Sequence, residues 1–369
     1  MMKQSGEFVA FWLTCLVSMV IATGTVMSQG KPSSIRLRQP VDTVGFASHA
    51  WQMDSVMNRI PRLNRHIKGI SNNTRAPQKA AICPHDDYIY AGWLYPEVLK
   101  NIHAKTIILF GVAHKAKKFN VENRLVFDSF DEWKEPYGNI AISGLREEIM
   151  KTLPADSYIV HDSLQQAEHS VEAIIPYLQY YNRRIRIISI LVPYMPYDRM
   201  DQLSDQLASG IVKVLKADGL NWGRDVAFVM STDAVHYGDE DWGGSNYAFY
   251  GCDAKGYNEA KSHEMEIINE CLSGTMSREK AKKFTRFTLK KDDYKSYKWT
   301  WCGRYSVPFG LLTIMKIQGA ASGKTLQGIF TGYGTSLDEP RLKVSDIGMG
   351  KTANATMHHW VGYAGISYY

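Results

Sequence analysis

Three histidines stand where apolar runs end. His85 follows "AAICP", His114 closes "TIILFGVAH", and His236 closes "VAFVMSTDAVH", with Asp233 just before it. A cysteine, Cys302, sits in "WTWCGRY", and "AEHSVE" supplies Glu168, His169 and Glu172. Imidazole and thiolate together suit zinc, copper or iron. His85, His114 and Cys302 could therefore form a three-ligand site. They are far apart in sequence, unlike the tight pairs of a zinc finger, so the fold must assemble them. Three protein ligands leave a position for water or substrate, which is the catalytic arrangement. Asp233 and His236 would then be outer partners or acid/base groups, because histidine titrates near neutrality.

Each residue also has a plainer reading. A single strand-end histidine is more often a hydrogen-bonded structural group than a ligand. Cys302 alone reads as a small buried apolar group. Asp86 and Asp87, directly after His85, read as turn residues that cap the next helix. Ser170 and Glu172 fit a helix start beside a packed His169. Tyr88 and Tyr90 fit the core or a pocket wall. His161 and His263 carry no functional assignment, and His358-His359 stands as a decoy metal pair.

The elements that must position these residues are legible as short apolar runs. They are 80–83, 106–112, 185–192, 226–231, 326–333 and 361–369. Continuous apolar runs of this length suit strands buried on both faces. Helical patterns lie between them, over 93–102, 140–153, 170–181, 200–217 and 306–317. Strand–helix alternation predicts an α/β fold, a mostly parallel sheet covered on both sides. In such sheets ligands bind beyond the carboxyl ends of the strands, where the histidines fall.

The chain has 369 residues, 45% of them hydrophobic and 22% charged, as in globular proteins. A net charge of +6 with no dense basic run argues against a nucleic-acid partner. The stretch from Phe8 to Ser28 is almost uncharged and reads as a secretory signal cleaved after Ser28, with an uncleaved anchor as the rival. Export follows, to the periplasm or beyond, with membrane contact only through that segment. Residues 29–43 read as an extended leader and 44–369 as a single domain. Cys252 with Cys271 is the expected disulfide, which leaves Cys302 free.

At these same residues the sequence resembles the Memo family, the B component of the AmmeMemoRadiSam group. That family carries "PHAGYxYxG", "GPSH", "EHSxExxxPY", "SSDxxHW/Y" and "xCGRxP". Here, in the same order, stand "PHDDYIYAG" (84–92), "GVAH" (111–114), "EHSVEAIIPY" (168–177), "STDAVHY" (231–237) and "WCGRYSVPFG" (301–310). The resemblance runs from about Val44 to the last strand. It implies a three-layer αβα fold around a mostly parallel central sheet, similar to the class III, protocatechuate-type extradiol dioxygenases. Those enzymes hold non-haem iron(II) on two histidines and a glutamate. The Memo pattern keeps the histidines and has cysteine for the glutamate.

The resemblance thus implies His85, His114 and Cys302 as ligands of iron(II) or copper, and redox chemistry on an unknown small molecule or peptide. His236 is the implied acid/base group, oriented by Asp233. His169 is the third catalytic candidate. Asp86, Asp87, Tyr88, Glu168 and Arg304 are the expected pocket and supporting residues. The rival expectations are a non-catalytic copper-binding protein and a peptide-binding scaffold that keeps the fold without turnover. The chain departs from the pattern where Asp86-Asp87 replaces Ala-Gly and where "GVAH" lacks the family's serine. Two added carboxylates would make the pocket acidic and favour cations.

Overall fold

The computed structural model describes residues 35–63 and 77–369. The apolar stretch from Phe8 to Ser28 and the first part of the leader lie outside the described residues. Among the described residues no helix is long and apolar enough to cross a membrane.

The strands are β1 (Leu37–Arg38), β2 (Ala80–Cys83), β3 (Thr106–Val112), β4 (Leu125–Phe127), β5 (Glu132–Trp133), β6 (Ile140–Ala141), β7 (Tyr158–Val160), β8 (Arg186–Val192), β9 (Val226–Ser231), β10 (His236–Gly238), β11 (Gly274–Thr275), β12 (Gln327–Thr335) and β13 (His359–Tyr368). The helices are α1 (Ala50–Arg59), α2 (Tyr88–Ala91), α3 (Leu94–Leu99), α4 (Leu145–Thr152), α5 (Asp162–Gln166), α6 (Ile175–Tyr181), α7 (Tyr197–Ala217), α8 (Ala254–Ile267), α9 (Arg278–Thr288) and α10 (Ser306–Ser322).

The main sheet runs β11-β12-β13-β2-β9-β3-β8-β4-β7, with β10 paired to β13. Its centre, β2-β9-β3-β8, is parallel. The pairings β12–β13, β13–β2 and β4–β8 are antiparallel. Successive residues of a strand face opposite sides, so each apolar run feeds two cores. Ile107 and Leu109 of β3 join Ala81 and Val229 under α1, α3 and α6. Ile108 and Phe110 join Ile82 and Met230 under α7 and α10. The result is the three-layer αβα architecture.

Three expected helices are shorter than their sequence patterns, the 93–102 pattern being helical only over α3. The 140–153 pattern splits into β6 and α4, because Ser143-Gly144 interrupts it and Gly144 takes the position before the first helical residue. The 170–181 pattern becomes helical only at Ile175, where Pro176 falls in the first turn that tolerates its missing N–H. The expected Cys252–Cys271 disulfide is also corrected. Cys83, Cys252, Cys271 and Cys302 are all free. Cys271 is fully buried in the core under α8 and α9, whereas Cys252 donates to Asp239 Oδ1 at 3.3 Å on a loop.

The described part of the leader is built into the fold. β1 pairs with β5, and Arg38 is fully buried. Its guanidinium lies 4.1 Å over the Trp133 ring. It donates to the carbonyls of Gln165 (3.1 Å) and Glu168 (2.5 Å) and to Glu172 Oε2 (3.3 Å). Arg38 thereby fixes the segment that carries Glu168 and His169.

A candidate metal centre between two cavities

β2, β9 and β3 are neighbours and run the same way, so their carboxyl ends lie side by side, about 4.8 Å apart. That brings His85, Asp233 and His114 to one edge, and the turn before α10 adds Cys302. Two groups of donor atoms fall within 4.8 Å of one another: His85, His114 and His169, and His85, Asp233 and Cys302. Among the described residues no such group holds His114 together with Cys302. The expected set of His85, His114 and Cys302 is thus resolved into two overlapping sets that share His85.

His85 is 2% exposed. Its Nδ1 lies 2.7 Å from Ser231 Oγ. The Ser231 hydroxyl donates to the Ser170 carbonyl, so its oxygen must accept from His85, and Nδ1 carries the proton. The lone pair is left on Nε2, which faces Asp233 Oδ2 at 3.3 Å and Cys302 Sγ at 3.6 Å. Burial, then His114, His169 and His236, hold the His85 pKa well below the usual range.

His114 is arranged in the same way by a different partner. Glu168 Oε1 accepts from His114 Nδ1 at 2.8 Å, and Oε2 accepts from the His114 backbone N–H at 2.7 Å. Oε1 also accepts from the N–H groups of His169 (3.0 Å) and Ser170 (3.1 Å). Burial alone would raise this carboxyl, but His114, His169 and the backbone donors bring it down to about 2. It is therefore a permanent carboxylate, and His114 Nε2 is the nitrogen left for a ligand. His169 stacks on His114 at 5.1 Å and 5°, and burial, then His114, lowers it to about 4.

Cys302 accepts from the Asp233 N–H at 3.1 Å. Burial, then Asp233, pushes its thiol well above the ordinary value, so a cation is needed to hold the thiolate. Asp233 is likewise raised, by burial and then by Asp86. Its Oδ1 accepts from the His85 N–H at 3.0 Å. This corrects one expected role: Asp233 serves His85 and does not orient His236. The chain turns after β9 and His236 enters β10, which pairs with β13. The Nε2 of His236 is buried without a partner, and burial, then His114, lowers the ring to about 3.

Two cavities with different linings meet at these side chains. The larger, about 580 Å³, is lined by His85, His114, His169 and His236, by Asp42, Asp86, Asp87 and Asp233, and by Phe46, Tyr90 and Trp242, and by no Lys or Arg among the described residues. The smaller, about 360 Å³, is lined by Lys117, Lys295 and Arg304 with His114 and Cys302. Arg304 therefore belongs to the basic side, where its guanidinium lies 3.5 Å over Tyr297. Tyr88 is corrected to a core residue. It is fully buried among Phe46, Tyr95 and Tyr177 and donates to the Ala173 carbonyl at 2.7 Å. Tyr90 faces the cavity instead.

Asp86 and Asp87 make no side-chain cap of α2, which corrects the plainer reading. Asp86 Oδ2 accepts from the Tyr363 hydroxyl at 2.5 Å, tying the turn to β13. Asp87 Oδ2 accepts from Thr352 N (2.5 Å) and Thr352 Oγ1 (3.0 Å). Its carboxylate also fills the space beside Gly45, where a Cβ would fall 1.8 Å from Oδ1. Burial, then Asp86, pushes Asp87 up to about 7. The residues that sequence reasoning missed are Ser231, Asp42 and Trp242, while His359, set aside as half of a decoy pair, lines the larger cavity. Ser231 alone had a signal, since it opens "STDAVHY".

Comparison with known proteins gives the family. Residues 51–349 match the family model described as "Memo-like protein". A MEMO1 family protein of Aquifex aeolicus is 31% identical over 172 residues, which cover 46% of this chain and 58% of that protein. One of Methanosarcina barkeri is 29% identical over 159 residues, 42% of this chain and 54% of the relative. One of Caldivirga maquilingensis is 27% identical over 195 residues, 50% and 64%. The chain thus spans little more than half the length of the curated relatives it matches.

Proposed function

The chain belongs to the Memo family, and from that premise we propose a metalloprotein that holds iron(II) or copper beside the aspartate-lined cavity and oxidises a small organic molecule bound there, with dioxygen as the oxidant that takes up the electrons. The observation that carries this reading is the matched orientation of two imidazoles. His85 and His114 donate their Nδ1–H groups to Ser231 and Glu168, which leaves the lone pairs on both Nε2 atoms. Metal-binding histidines are held in this manner. The donors fit such an ion: nitrogen from His85, His114 and His169, and oxygen and sulfur from Asp233 and Cys302.

His85 would be the constant ligand, since both donor groups contain it. When bound, the metal would supply a redox centre and a Lewis acid. The remaining work falls to the chain. Asp42, Asp86, Asp87 and Asp233 line the approach to the histidines; burial favours the protonated form of Asp86, Asp87 and Asp233, and a cation beside them would draw them to their carboxylates. Phe46, Tyr90 and Trp242 give a ligand apolar surface. His236 enters the reaction neutral, with Nε2 free to meet a polar atom or take a proton from an acidified hydroxyl.

Metal analysis of the protein reconstituted with iron(II) or copper(I) tests this. One equivalent more is expected in the native protein than in His85→Ala. Loss in Cys302→Ser identifies the sulfur set, and loss in His169→Ala the nitrogen set. No metal in the native protein refutes the reading. A copper store without turnover is the second reading, favoured by soft Cys302. The adjoining cavity of about 580 Å³ favours catalysis, because a store needs no room for an organic ligand. Export is proposed on the Phe8–Ser28 stretch, and a mature protein that still begins at Met1 in the soluble fraction would refute it.

A further inference from the structure

Away from the cavity ligands, three residues with no role in the proposed reaction converge at the surface. Asp239 follows β10, Cys252 precedes α8, and His358 precedes β13. Their donor atoms lie within 4.8 Å of one another. His358 Nδ1 is 2.7 Å from Asp239 Oδ1, and Cys252 Sγ is 3.3 Å from the same oxygen. We propose that Asp239, Cys252 and His358 form a zinc(II) site that closes the 239–252 loop.

The donor chemistry is the first argument. A carboxylate oxygen, an imidazole nitrogen and a sulfur make a mixed set suited to zinc, with a fourth position open to water. Neighbouring ligands of a tetrahedral zinc stand about 3.5 Å apart, and Asp239 Oδ1 lies 2.7 Å from the His358 nitrogen and 3.3 Å from the Cys252 sulfur, so a small widening of these two gaps matches that spacing. The side chains of Asp239 and His358 are 38% and 49% exposed, so the ion enters from solvent. On binding, the Cys252 thiol gives its proton to water and its sulfur electron pair to the ion.

The second argument is that all three ligands sit on fixed backbone. The His358 carbonyl accepts from both the Asp239 and Glu240 N–H groups, at 3.0 and 3.1 Å. Gly238 makes that approach possible, for at φ 125° its missing Cβ would fall 1.8 Å from the same carbonyl. Cys252 is held from both sides. Tyr237 donates to the Gly251 carbonyl at 3.0 Å, and Asp253 caps α8 by accepting from Gly256 N at 2.8 Å. A surface ion pair between Asp239 and His358 would by itself contribute little. The sulfur brought to the same oxygen is what a plain ion pair does not need.

The third argument is position. Asp239 and Cys252 lie at the two ends of a loop with little regular structure, and Trp242 lies within it. Trp242 stacks on His359 at 4.1 Å and 12° and lies 5.2 Å from His236. All three line the larger cavity. Zinc at the loop's base would thus fix a wall of that cavity without touching its contents.

Cobalt(II) is the probe, since a thiolate-to-cobalt charge-transfer band reports sulfur ligation. The full-length Cys302→Ser protein, which lacks the cavity thiol, is expected to show the band. Cys252→Ser added to it should abolish the band, and His358→Gln should weaken cobalt binding more than about tenfold. Zinc should also slow chymotryptic cleavage at Trp242 and Tyr247 severalfold in Cys302→Ser and not after Cys252→Ser. If Cys302→Ser does not fold, native protein should lose one zinc equivalent on Cys252→Ser alone. No thiolate band with Cys252 intact, a band that survives Cys252→Ser, or an unchanged zinc count would overturn the proposal.

Discussion

Glu168 grips His114 twice, accepting from its ring Nδ1 at 2.8 Å and from its backbone N–H at 2.7 Å. Ring and main chain are fixed by one buried carboxylate, so the direction of His114 Nε2 is set before any ion arrives. Glu168→Gln keeps the shape and removes the charge. It also places an N–H₂ group against one of the N–H donors. Outer partners of this kind are worth roughly 10–100-fold in metal affinity. A loss in that range is expected in chelator competition, with near-native helix content by circular dichroism.

Arg38 is the deepest ionic support of the same segment. Replacing it with Met leaves Glu172 buried without its guanidinium and strips the Gln165 and Glu168 carbonyls of a donor. Breaking a buried pair on one side costs about 3–5 kcal/mol. Urea unfolding of Arg38→Met should show a loss of that order. A loss below about 1 kcal/mol, the range of exposed pairs, would contradict this account.

Asp87 is a tether for the 352–355 wall of the cavity. Asp87→Ala removes the acceptor used by Thr352 N and Oγ1, which together are worth about 1–3 kcal/mol. The mutant is expected to expose that wall to proteases while β2 and β13 stay protected from hydrogen exchange. Unchanged cleavage around Thr352 would refute the tether.

Glu264 lies fully buried beneath the site. It accepts from the indole N–H groups of Trp299 (2.5 Å) and Trp301 (2.6 Å) and from Val235 N (3.0 Å). Burial still raises it from 4.5 to about 7. The folded state therefore binds this proton more tightly than the unfolded state. The resulting stability is fully present below the unfolded value and is lost as pH rises toward about 7, roughly 3 kcal/mol in all. Glu264→Gln should flatten that decline in urea unfolding across the same window. An unchanged slope would show that Glu264 is ionised in the fold.

The strands were readable because burial on both faces writes itself as an unbroken apolar run. "TIILFGV" and "VAFVMS" became β3 and β9 at the expected residues. Pairing direction has no such mark, and the 326–333 and 361–369 runs turned out to form the antiparallel pair β12–β13. At the site, residue types were legible and aim was not. Asp233 stands near His236 in sequence, yet the turn after β9 delivers its carboxylate to His85. Tyr88 and Tyr90 sit in one motif, but a short helix sends the first to the core and the second to the cavity. The disulfide expectation failed because spacing says nothing of depth: Cys271 faces the core and Cys252 a loop.

The place of β13 bears on how the molecule comes into being. Its residues Ile366, Ser367 and Tyr368 border β2 opposite Ile82, Ala81 and Ala80. The strand that presents His85 is thus encoded early, while one of its two neighbours is encoded nearly three hundred residues later. During synthesis β2 can pair with β9 once residue 231 has left the ribosome, but its other edge stays open until β13 emerges. An unpaired edge of apolar residues invites association with other nascent chains. The turn that carries His85 is made before most of the sheet and is among the last parts to be secured.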